Sequence, residues 1–293
     1  ISEKDTTKLN TLSENNKEQI DTLTQSAVKN AGSSQESADL IAKVVANASD
    51  DFANQIISEV TKNSTDENQA LSAKVMKSIV ETNPDKIENL NDENKDNLIS
   101  QTIEAAKNQA EGTSSDELDL SNTIAEIVTN SDTGTAAKVL ESLEEASNDS
   151  DSKLSLSVVS NLTKQENYEE KMEILSVTSS VVDQSINALI EKAVENASSE
   201  EDLELVTDIV ENSKGSLGDK IVNSANKSEE SKKKITEIIV KVVEKNPEKA
   251  VEIIEKNKNT NAVLETVKSK IEKGEAVSTD DFEEVFKTNV SPN

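Results

Sequence analysis

Short aliphatic stripes recur along this chain with the spacing of one face of an α-helix. The clearest stripe follows the intervals i, i+3, i+4, i+7 and i+8, which place apolar side chains on one side of a helix with 3.6 residues per turn. No segment alternates with a period of two over the length of a strand, so the sequence predicts an all-α protein. The members of that stripe are Ile235, Ile238, Ile239, Val242 and Val243, and Leu40, Ile41, Val44 and Val45 begin another.

Residues that start and stop helices separate the stripes. Ser or Thr three residues before Glu predicts a capping box, Asn-Pro predicts a cap followed by the first helical residue, and Gly favours a helix end. This punctuation falls roughly every 12–20 residues and predicts about 13–16 short helices of ordinary length. The predicted boxes start at Ser64, Ser114 and Ser198, the Asn-Pro starts at Asn83 and Asn246, and the ends at Gly112, Gly134, Gly215 and Gly274.

The helix ends resemble one another. Val44-Val45-Ala46-Asn47, Ile127-Val128-Thr129-Asn130 and Ile209-Val210-Glu211-Asn212 each lead into a serine-initiated turn. A degenerate helix–turn–helix unit of about 30–35 residues fits this pattern, although the consensus residues of tetratricopeptide and ankyrin repeats are missing. By period alone the chain resembles the general class of α-solenoids. We therefore expect an irregular, α-solenoid-like helical-repeat array of short antiparallel helix pairs, and a single irregular bundle is the rival.

Composition agrees with a thin helical stack. Hydrophobic residues are 33% of the chain and aromatic residues 1%, whereas a thick core draws much of its bulk from aromatic rings. A stacked helix pair contacts only its neighbours, so one apolar stripe per helix is enough. We expect residues 1–35 to form a cap or linker, residues 36–274 the repeat body, and residues 275–293 a short helix and tail.

The net charge of −27 limits the partners of the chain. Such an acidic protein is repelled by nucleic acid and by anionic membranes. No apolar run approaches the 18 or more residues of a membrane helix, so we expect no membrane insertion. Charge is uneven, because residues 227–273 hold 12 Lys and 9 Glu while the rest of the chain carries −30.

The chain lacks the side chains that do most site chemistry. All 31 basic residues are lysine, and there is no Arg, His, Cys or Trp. Histidine proton shuttles, thiol nucleophiles and arginine clamps are therefore excluded, and no phosphate loop or zinc motif occurs. We expect neither an enzyme nor a cofactor. An Asp/Glu enzyme with a hard metal is the remaining catalytic hypothesis, and the oxygen-rich clusters at residues 91–96 and 148–151 are the places where calcium would bind, although neither has the loop glycine.

The two ends and the lysine-rich region are the candidate contact surfaces. The terminal units of a helical stack must be covered by a cap or a partner. An acidic end facing a basic region of another copy would also give a head-to-tail contact, which forms a filament if it does not close. The candidate self-association residues are Leu9, Leu12, Ile20, Leu23, Phe282, Val285, Phe286, Lys232, Lys233 and Lys234.

These expectations combine into a function. We expect a non-enzymatic structural subunit of a bacterial extracellular or cell-surface assembly, such as a filament, sheath or surface layer, built by end-to-end association of copies. The absence of cysteine and a Lys, Asn and Ile usage typical of AT-rich bacterial genomes favour this setting. A start at Ile1 suggests either that a leader was removed or that the chain is a piece of a longer protein. The alternative is a monomeric α-solenoid scaffold that binds a peptide or protein partner.

Overall fold

The protein is all-helical throughout the part of the chain that the structure describes, as the periodicity predicts. The structure is a computed structural model. Twelve helices have defined bounds within the described residues. The described residues are 17–32, 34–62, 64–112, 119–148, 152–178, 184–185, 188–189, 199–212, 237–238, 240–256 and 268–278. The helices are α1 Lys17–Ala31, α2 Gln35–Asn47, α3 Asp50–Val60, α4 Asp66–Thr82, α5 Asp85–Glu88, α6 Asp92–Ala110, α7 Leu120–Asn130, α8 Thr133–Asn148, α9 Ser152–Lys164, α10 Tyr168–Thr178, α11 Glu200–Asn212 and α12 Pro247–Lys256.

Several predicted helix boundaries lie one residue away from the observed ones. Helix α4 is capped by Thr65, whose hydroxyl accepts from the Asn68 N–H, and not by Ser64. Before α11, Ser199 and Asp202 form the capping box, which starts one residue later than the predicted Ser198. Adjacent serine and threonine residues offer competing hydroxyl caps, which the spacing rule does not separate.

The Asn-Pro and glycine predictions have mixed outcomes. Asn246 caps α12 as predicted, since its side-chain oxygen accepts from the Lys249 N–H at 3.1 Å. Asn83 ends α4 and does not cap the four-residue helix α5.

Gly112 and Gly274 follow helices with φ of 72° and 68°, as helix-ending glycines do. Gly134 instead lies in the first turn of α8, where a Cβ would come within 3.1 Å of the Asp132 carboxylate. Ser114 and Gly215 lie outside the described residues.

The chain divides into two compact units. The first contains Ile1–Leu154 and Gln165–Ile186, and the second contains Ser155–Lys164 and Asn187–Asn293. Most of the described helices belong to the first unit, and the candidate site described below lies entirely within it.

In the first unit, helices pair and the pairs lie side by side. Helix α4 packs against α6 in an antiparallel pair, since Gln69 bonds Asn108 and Ser72 bonds Gln101. Helices α2 and α3 form the pair that precedes it along the chain, and helices α7 and α8 form the pair that follows it. One helix of each pair contacts the corresponding helix of the next, which gives a first row of α2, α4 and α7 and a second row of α1, α3, α6 and α8.

Neighbouring helices within a row run parallel. Ser78 and Asn83, at the end of α4, bond Asp39 and Ala46 of α2, respectively. Asn94 and Gln101 of α6 bond Asn54 of α3 and Thr61 just after it, respectively. In both cases the residue numbers of the two helices rise in the same direction. The hydrogen bonds within rows join residues from 34 to 43 positions apart, and the Lys77–Glu126 ion pair joins α4 to α7 over a longer separation. Each helix thus meets the counterpart that lies one pair further along the chain.

The core is aliphatic and lies between and within the rows. Its largest fully buried side chains are Ile, Leu and Met, as the shortage of aromatic residues predicts, and Tyr168 is a buried residue at the start of α10. Helix α4 departs from the one-stripe expectation, because it is buried over most of its circumference by neighbours on both sides of its row. Its buried polar residues are Gln69, Ser72, Lys74 and Ser78.

Candidate functional site

Two exposed leucines mark the N-terminal end of the helix rows. Leu40 of α2 is 58% exposed, whereas Ile79, which the Ser78–Asp39 hydrogen bond places at the same level of α4, is fully buried. Leu23 of α1 is 64% exposed and stands two residues before Gln25, which bonds Glu59 of α3. Two residues before Glu59 stands Ile57, which is fully buried. Each leucine therefore has an isoleucine counterpart at the same height along the next helix of its row, and that isoleucine is fully buried.

Leu23 and Leu40 lie on the first described helix of each row. Among the described helices none precedes α1 in the second row or α2 in the first. Full burial of a leucine contributes about 1.5–3 kcal/mol, so covering the exposed parts of both would contribute roughly 2–4 kcal/mol. Association costs at least about 4 kcal/mol in lost rigid-body freedom. The two leucines can thus take part in an interface but need further contacts.

A polar groove of about 980 Å³ lies beside this end of the unit. It runs between α3, the start of α6 and Gln25 of α1. Asn54 fixes the geometry of the groove: its side-chain oxygen accepts from the Asn91 N–H at 2.8 Å and from the Asn94 side chain at 2.9 Å. Its side-chain amide in turn donates to the Asp50 carbonyl at 2.9 Å, so all of its polar atoms are occupied.

Other polar groups of the groove have no such partners. Within the described residues, the carboxylates of Asp51 and Glu93, the Asn97 amide and the Ser58 hydroxyl are exposed and make no hydrogen bond. Lys62 is the only cation of the lining and it already contacts Glu59, at 3.1 Å. The unoccupied groups are therefore mostly hydrogen-bond acceptors, and the lining carries a net negative charge.

Lysine side chains join the helices of the first unit at other places. Lys138 of α8 lies 2.6 Å from Asp96 of α6, and the hydrogen bond between them raises the pKa of Lys138 above its ordinary value. Lys171 of α10 donates to the carbonyl of Ser131 at the end of α7. Burial lowers the pKa of Lys171, while the nearby Asp132 acts in the opposite direction. These contacts are interhelical links and not a reactive cluster.

Carboxylates at helix starts are held in the charged form. Burial alone would raise the pKa of Asp132, but hydrogen bonds from the Thr135 hydroxyl and from the N–H groups of Thr135 and Gly134 outweigh burial and lower it. The pKa of Asp39 is lowered chiefly by the hydrogen bond from the Ser78 hydroxyl, at 2.7 Å. Asp132 thus caps the start of its own helix, whereas Asp39 links α2 to α4.

The predicted contact residues fall into two groups. Leu23 is exposed, and Ile20 lies in α1 although its side chain is not described. Sequence analysis did not single out Leu40 or the groove. The sequence carries no signal for the exposure of Leu40, because that exposure depends on which helices lie next to α2. The remaining candidates lie outside the described residues: Leu9, Leu12, Phe282, Val285, Phe286, Lys232, Lys233 and Lys234.

The oxygen-rich cluster at residues 91–96 is a helix start. Asn91 caps α6 by accepting from the Asn94 N–H at 2.9 Å, and Lys138 lies near both Asp92 and Asp96. The described residues contain no group of three or more His, Cys, Asp or Glu placed to hold a metal ion. The cluster at residues 148–151 lies mostly outside the described residues. In the described part of the chain, no helix combines the length and apolarity needed to cross a membrane.

Comparison of the chain with the models of known protein families, with curated proteins and with solved structures found no match. The class of this protein therefore follows from its own geometry, which is that of an acidic, all-helical protein with paired helices.

Proposed function

We propose that this chain is a non-enzymatic structural subunit, a solenoid-like helical-repeat protein that associates end to end with copies of itself. The observation that carries the proposal is the exposure of Leu23 and Leu40 at levels where Ile57 and Ile79 are fully buried. A second copy that continued the rows would cover both leucines, as α3 and α4 are covered by their predecessors. A heterologous contact of this kind propagates into a filament when it does not close.

The spacing of the contacts between helices supports a repeat. Separations of 34 to 43 residues recur from Gln25–Glu59 to Asn122–Gln165 in the first unit, and Lys241–Glu200 and Lys245–Asp208 in the second unit have separations of 41 and 37. Helical-pair repeats of the HEAT and armadillo type have about 40–47 residues per unit. A period near 40 residues fits these contacts better than the 30–35 predicted from the stripes.

The experiment is sedimentation velocity and negative-stain microscopy of the wild type and of the Leu23→Glu/Leu40→Glu variant. We expect concentration-dependent oligomers or filaments for the wild type and monomers for the variant, because two charges would be buried at the contact. Gln19→Glu/Ser26→Glu is the control, since it adds the same charge at exposed positions of α1. A wild type that stays monomeric at all concentrations and salt levels contradicts the proposal.

The extracellular or cell-surface location is part of the same proposal. It is supported by the absence of cysteine and by the setting in which helical filaments and surface layers occur. Immunogold labelling of intact source cells should decorate the surface. Labelling that appears only after the cells are permeabilised contradicts this part of the proposal and leaves self-association to be judged separately.

The alternative function is a monomeric scaffold that binds a peptide or protein. The groove beside α3 and α6 favours it, because its unoccupied acceptors are available to a partner. The two functions separate in one measurement: a scaffold remains monomeric alone and forms a stable hetero-complex that groove substitutions abolish, whereas a structural subunit associates with itself.

A further inference from the structure

Helix α1 belongs to the second row, and no described helix of the first row is paired with it. In each later pair the first-row helix comes first along the chain: α2 precedes α3, α4 precedes α6, and α7 precedes α8. The described residues contain no helix ahead of α1. A first-row helix that completed this pair would lie next to α2 and be formed by the residues directly before α1.

The exposed side of α2 faces the place of that helix. The buried residues Ala38, Ala42 and Val45 lie on one side of α2, which is the side packed against α3 and α4. Leu40 lies on the opposite side, because successive residues turn by about 100° around a helix, and it is 58% exposed. The order of the rows therefore places the first-row partner of α1 against Leu40.

The sixteen residues that precede α1 carry the sequence signals of a short helix. Ser2-Glu3-Lys4-Asp5 has the spacing of a capping box. Asn16 stands directly before α1, as the cap Ser49 stands directly before α3, and both residue types favour that position. A helix between these two signals would have roughly the length of α2, which has 13 residues.

Two leucines of this segment fall where α2 has its buried face. With the residues before α1 and α3 aligned, the positions of Leu9 and Leu12 coincide with those of Ala42 and Val45. In α2 that face is turned to α3 and α4, which are its partner in the pair and the next helix of its row. The same arrangement turns Leu9 and Leu12 to α1 and α2.

We propose that residues 3–14 form this first-row helix, cover Leu40 of the same chain, and compete there with a second copy. The alignment puts Thr7 level with Leu40, so Leu9 stands two residues, or about 3 Å, further along the helix axis. The contact itself follows from the order of the rows, and only its effect on assembly rests on the self-association proposed above.

The short connection favours the segment of the same chain over that of another copy. The alignment leaves Asn15-Asn16 between the segment and α1, and a short connection gives an effective concentration in the millimolar range. At micromolar protein concentrations the segment therefore occupies α2 in most chains. Association that needs Leu40 is weakened by the fraction of chains in which Leu40 is covered.

The first test compares two cysteine variants, which is straightforward because the chain has no cysteine of its own. Leu23 and Leu40 are similarly exposed, at 64% and 58%. We expect maleimide labelling of Leu40→Cys to be at least about tenfold slower than that of Leu23→Cys in monomeric protein. Equal labelling rates overturn the proposal. Protection that appears only as the protein concentration rises also overturns it, because a second copy is then the occupant.

The second test removes the apolar face of the segment. Adding Leu9→Glu/Leu12→Glu should raise the labelling rate of Leu40→Cys to that of Leu23→Cys, because a carboxylate is costly to bury against α2. The control is Thr7→Glu/Asn10→Glu, which adds the same charges at the same spacing on the opposite side of the predicted helix. We expect the control to keep the protection. Protection that survives Leu9→Glu/Leu12→Glu contradicts the assignment of the segment.

Sedimentation velocity of the same variants without cysteine separates this proposal from the proposed function. We expect Leu9→Glu/Leu12→Glu to associate at least about tenfold more tightly than the control, because Leu40 is free to meet a second copy. If Leu40→Cys is protected and the Leu9→Glu/Leu12→Glu chain stays monomeric, the covering helix stands and the proposed function is wrong. If the chains associate and Leu40→Cys is not protected, the function stands and the covering helix is wrong.

Discussion

Lysine is the only basic side chain of this protein, and the structure uses it to satisfy backbone carbonyls at helix ends. Lys86 donates to the Ala48 carbonyl at the end of α2 and to Asp50 at 2.9 Å, and Lys95 donates to the Glu88 carbonyl at the end of α5. Lys171 does the same for the Ser131 carbonyl. A positive charge near a helix C-terminus is favoured by the orphan carbonyls and by the helix dipole. A single ammonium group on a long stem is sufficient for this role, so arginine is not needed.

Lys171→Met tests this role, because it keeps most of the stem and removes the charged donor. We expect the free energy of unfolding to fall by about 1.5–3 kcal/mol, as for a hydrogen bond from a charged group. Urea denaturation followed by circular dichroism measures it. Lys43→Met on the exposed face of α2 is the matched control and should change stability by less than about 0.5 kcal/mol. Equal effects of the two substitutions contradict the capping role.

Asp132 gives the stability of the protein a pH dependence with a definite sign. Its folded-state pKa is lowered because hydrogen bonds from Thr135 and Gly134 outweigh burial. The carboxylate therefore stabilises the folded state fully above its unfolded pKa of about 3.9, and this contribution is lost as the pH falls through the folded pKa.

The Asp132→Asn variant measures that contribution. We expect it to be about 0.3–1 kcal/mol less stable than the wild type at pH 7, because Asn keeps the capping oxygen and removes the negative charge at the helix N-terminus, and we expect the difference to shrink as the pH is lowered below 4. Urea titrations across this range at low protein concentration provide the comparison, with Asp66→Asn at the exposed start of α4 as control. A difference that stays constant down to pH 2 would show that the negative charge of Asp132 is not the stabilising feature.

At the scale of single helices, α4 shows why a chain with few hydrophobic residues still forms a closed core. Its polar side chains are buried but bonded: the Ser72 hydroxyl donates to the Gln101 side-chain oxygen at 2.7 Å, and the Gln101 amide donates to the Thr61 carbonyl at 2.7 Å. One glutamine of α6 thus links α4 to the end of α3. Such a network stabilises packing only while each member keeps its partners.

A double-mutant cycle on this network gives the element-level prediction. Gln101→Met should lower the free energy of unfolding by about 2–3 kcal/mol, because it leaves the Ser72 hydroxyl and the Thr61 carbonyl buried without a bond. Adding Ser72→Ala should recover part of the loss, since one of these groups is then removed. Thermal or urea unfolding of the four proteins measures the coupling. Strictly additive effects would mean that Ser72 and Gln101 do not act as a unit.

The helices themselves were predictable, and their environments were not. The stripe beginning at Leu40 predicts a helix, and α2 is one, but its buried face is formed by Ala38, Ala42 and Val45. The stripe does not say whether a neighbour covers its residues: Leu40 is exposed and Ile79 is buried although both belong to stripes of the same kind. Likewise, Asn54 and Asn94 look like solvated polar residues in the sequence. Only the contact of α3 with α6 in the second row brings them together. Whether a side chain is covered or bonded in this way depends on contacts between residues that are distant in the sequence.

At the scale of the whole molecule, the net charge of −27 opposes compactness. Self-repulsion of like charges destabilises a folded protein, and salt screens it with a Debye length of about 10 Å at 0.1 M. We expect the thermal midpoint to rise with sodium chloride although individual ion pairs weaken. A gain of about 1 kcal/mol would correspond to a rise of about 2–4 °C.

This prediction is measured best in the Leu23→Glu/Leu40→Glu background, so that self-association does not contribute to the midpoint. Circular dichroism melts between low and moderate salt give the midpoint directly. A midpoint that falls with salt would show that attractive ion pairs, such as Lys138–Asp96 and Lys245–Asp208, outweigh the excess negative charge.

Hydrogen bonds that link each helix of the first unit to a helix further along the chain recur at separations of 34 to 43 residues. This spacing affects how fast the protein folds. Folding rates fall as the average sequence distance between contacting residues grows, and in the helical repeat proposed above that distance is set by one helix pair and does not increase with the length of the chain. During synthesis at about 5–20 residues per second, each new pair can dock on its predecessor within seconds of emerging. Loops of only this length have to close, so nascent chains should acquire protease resistance stepwise, one pair at a time.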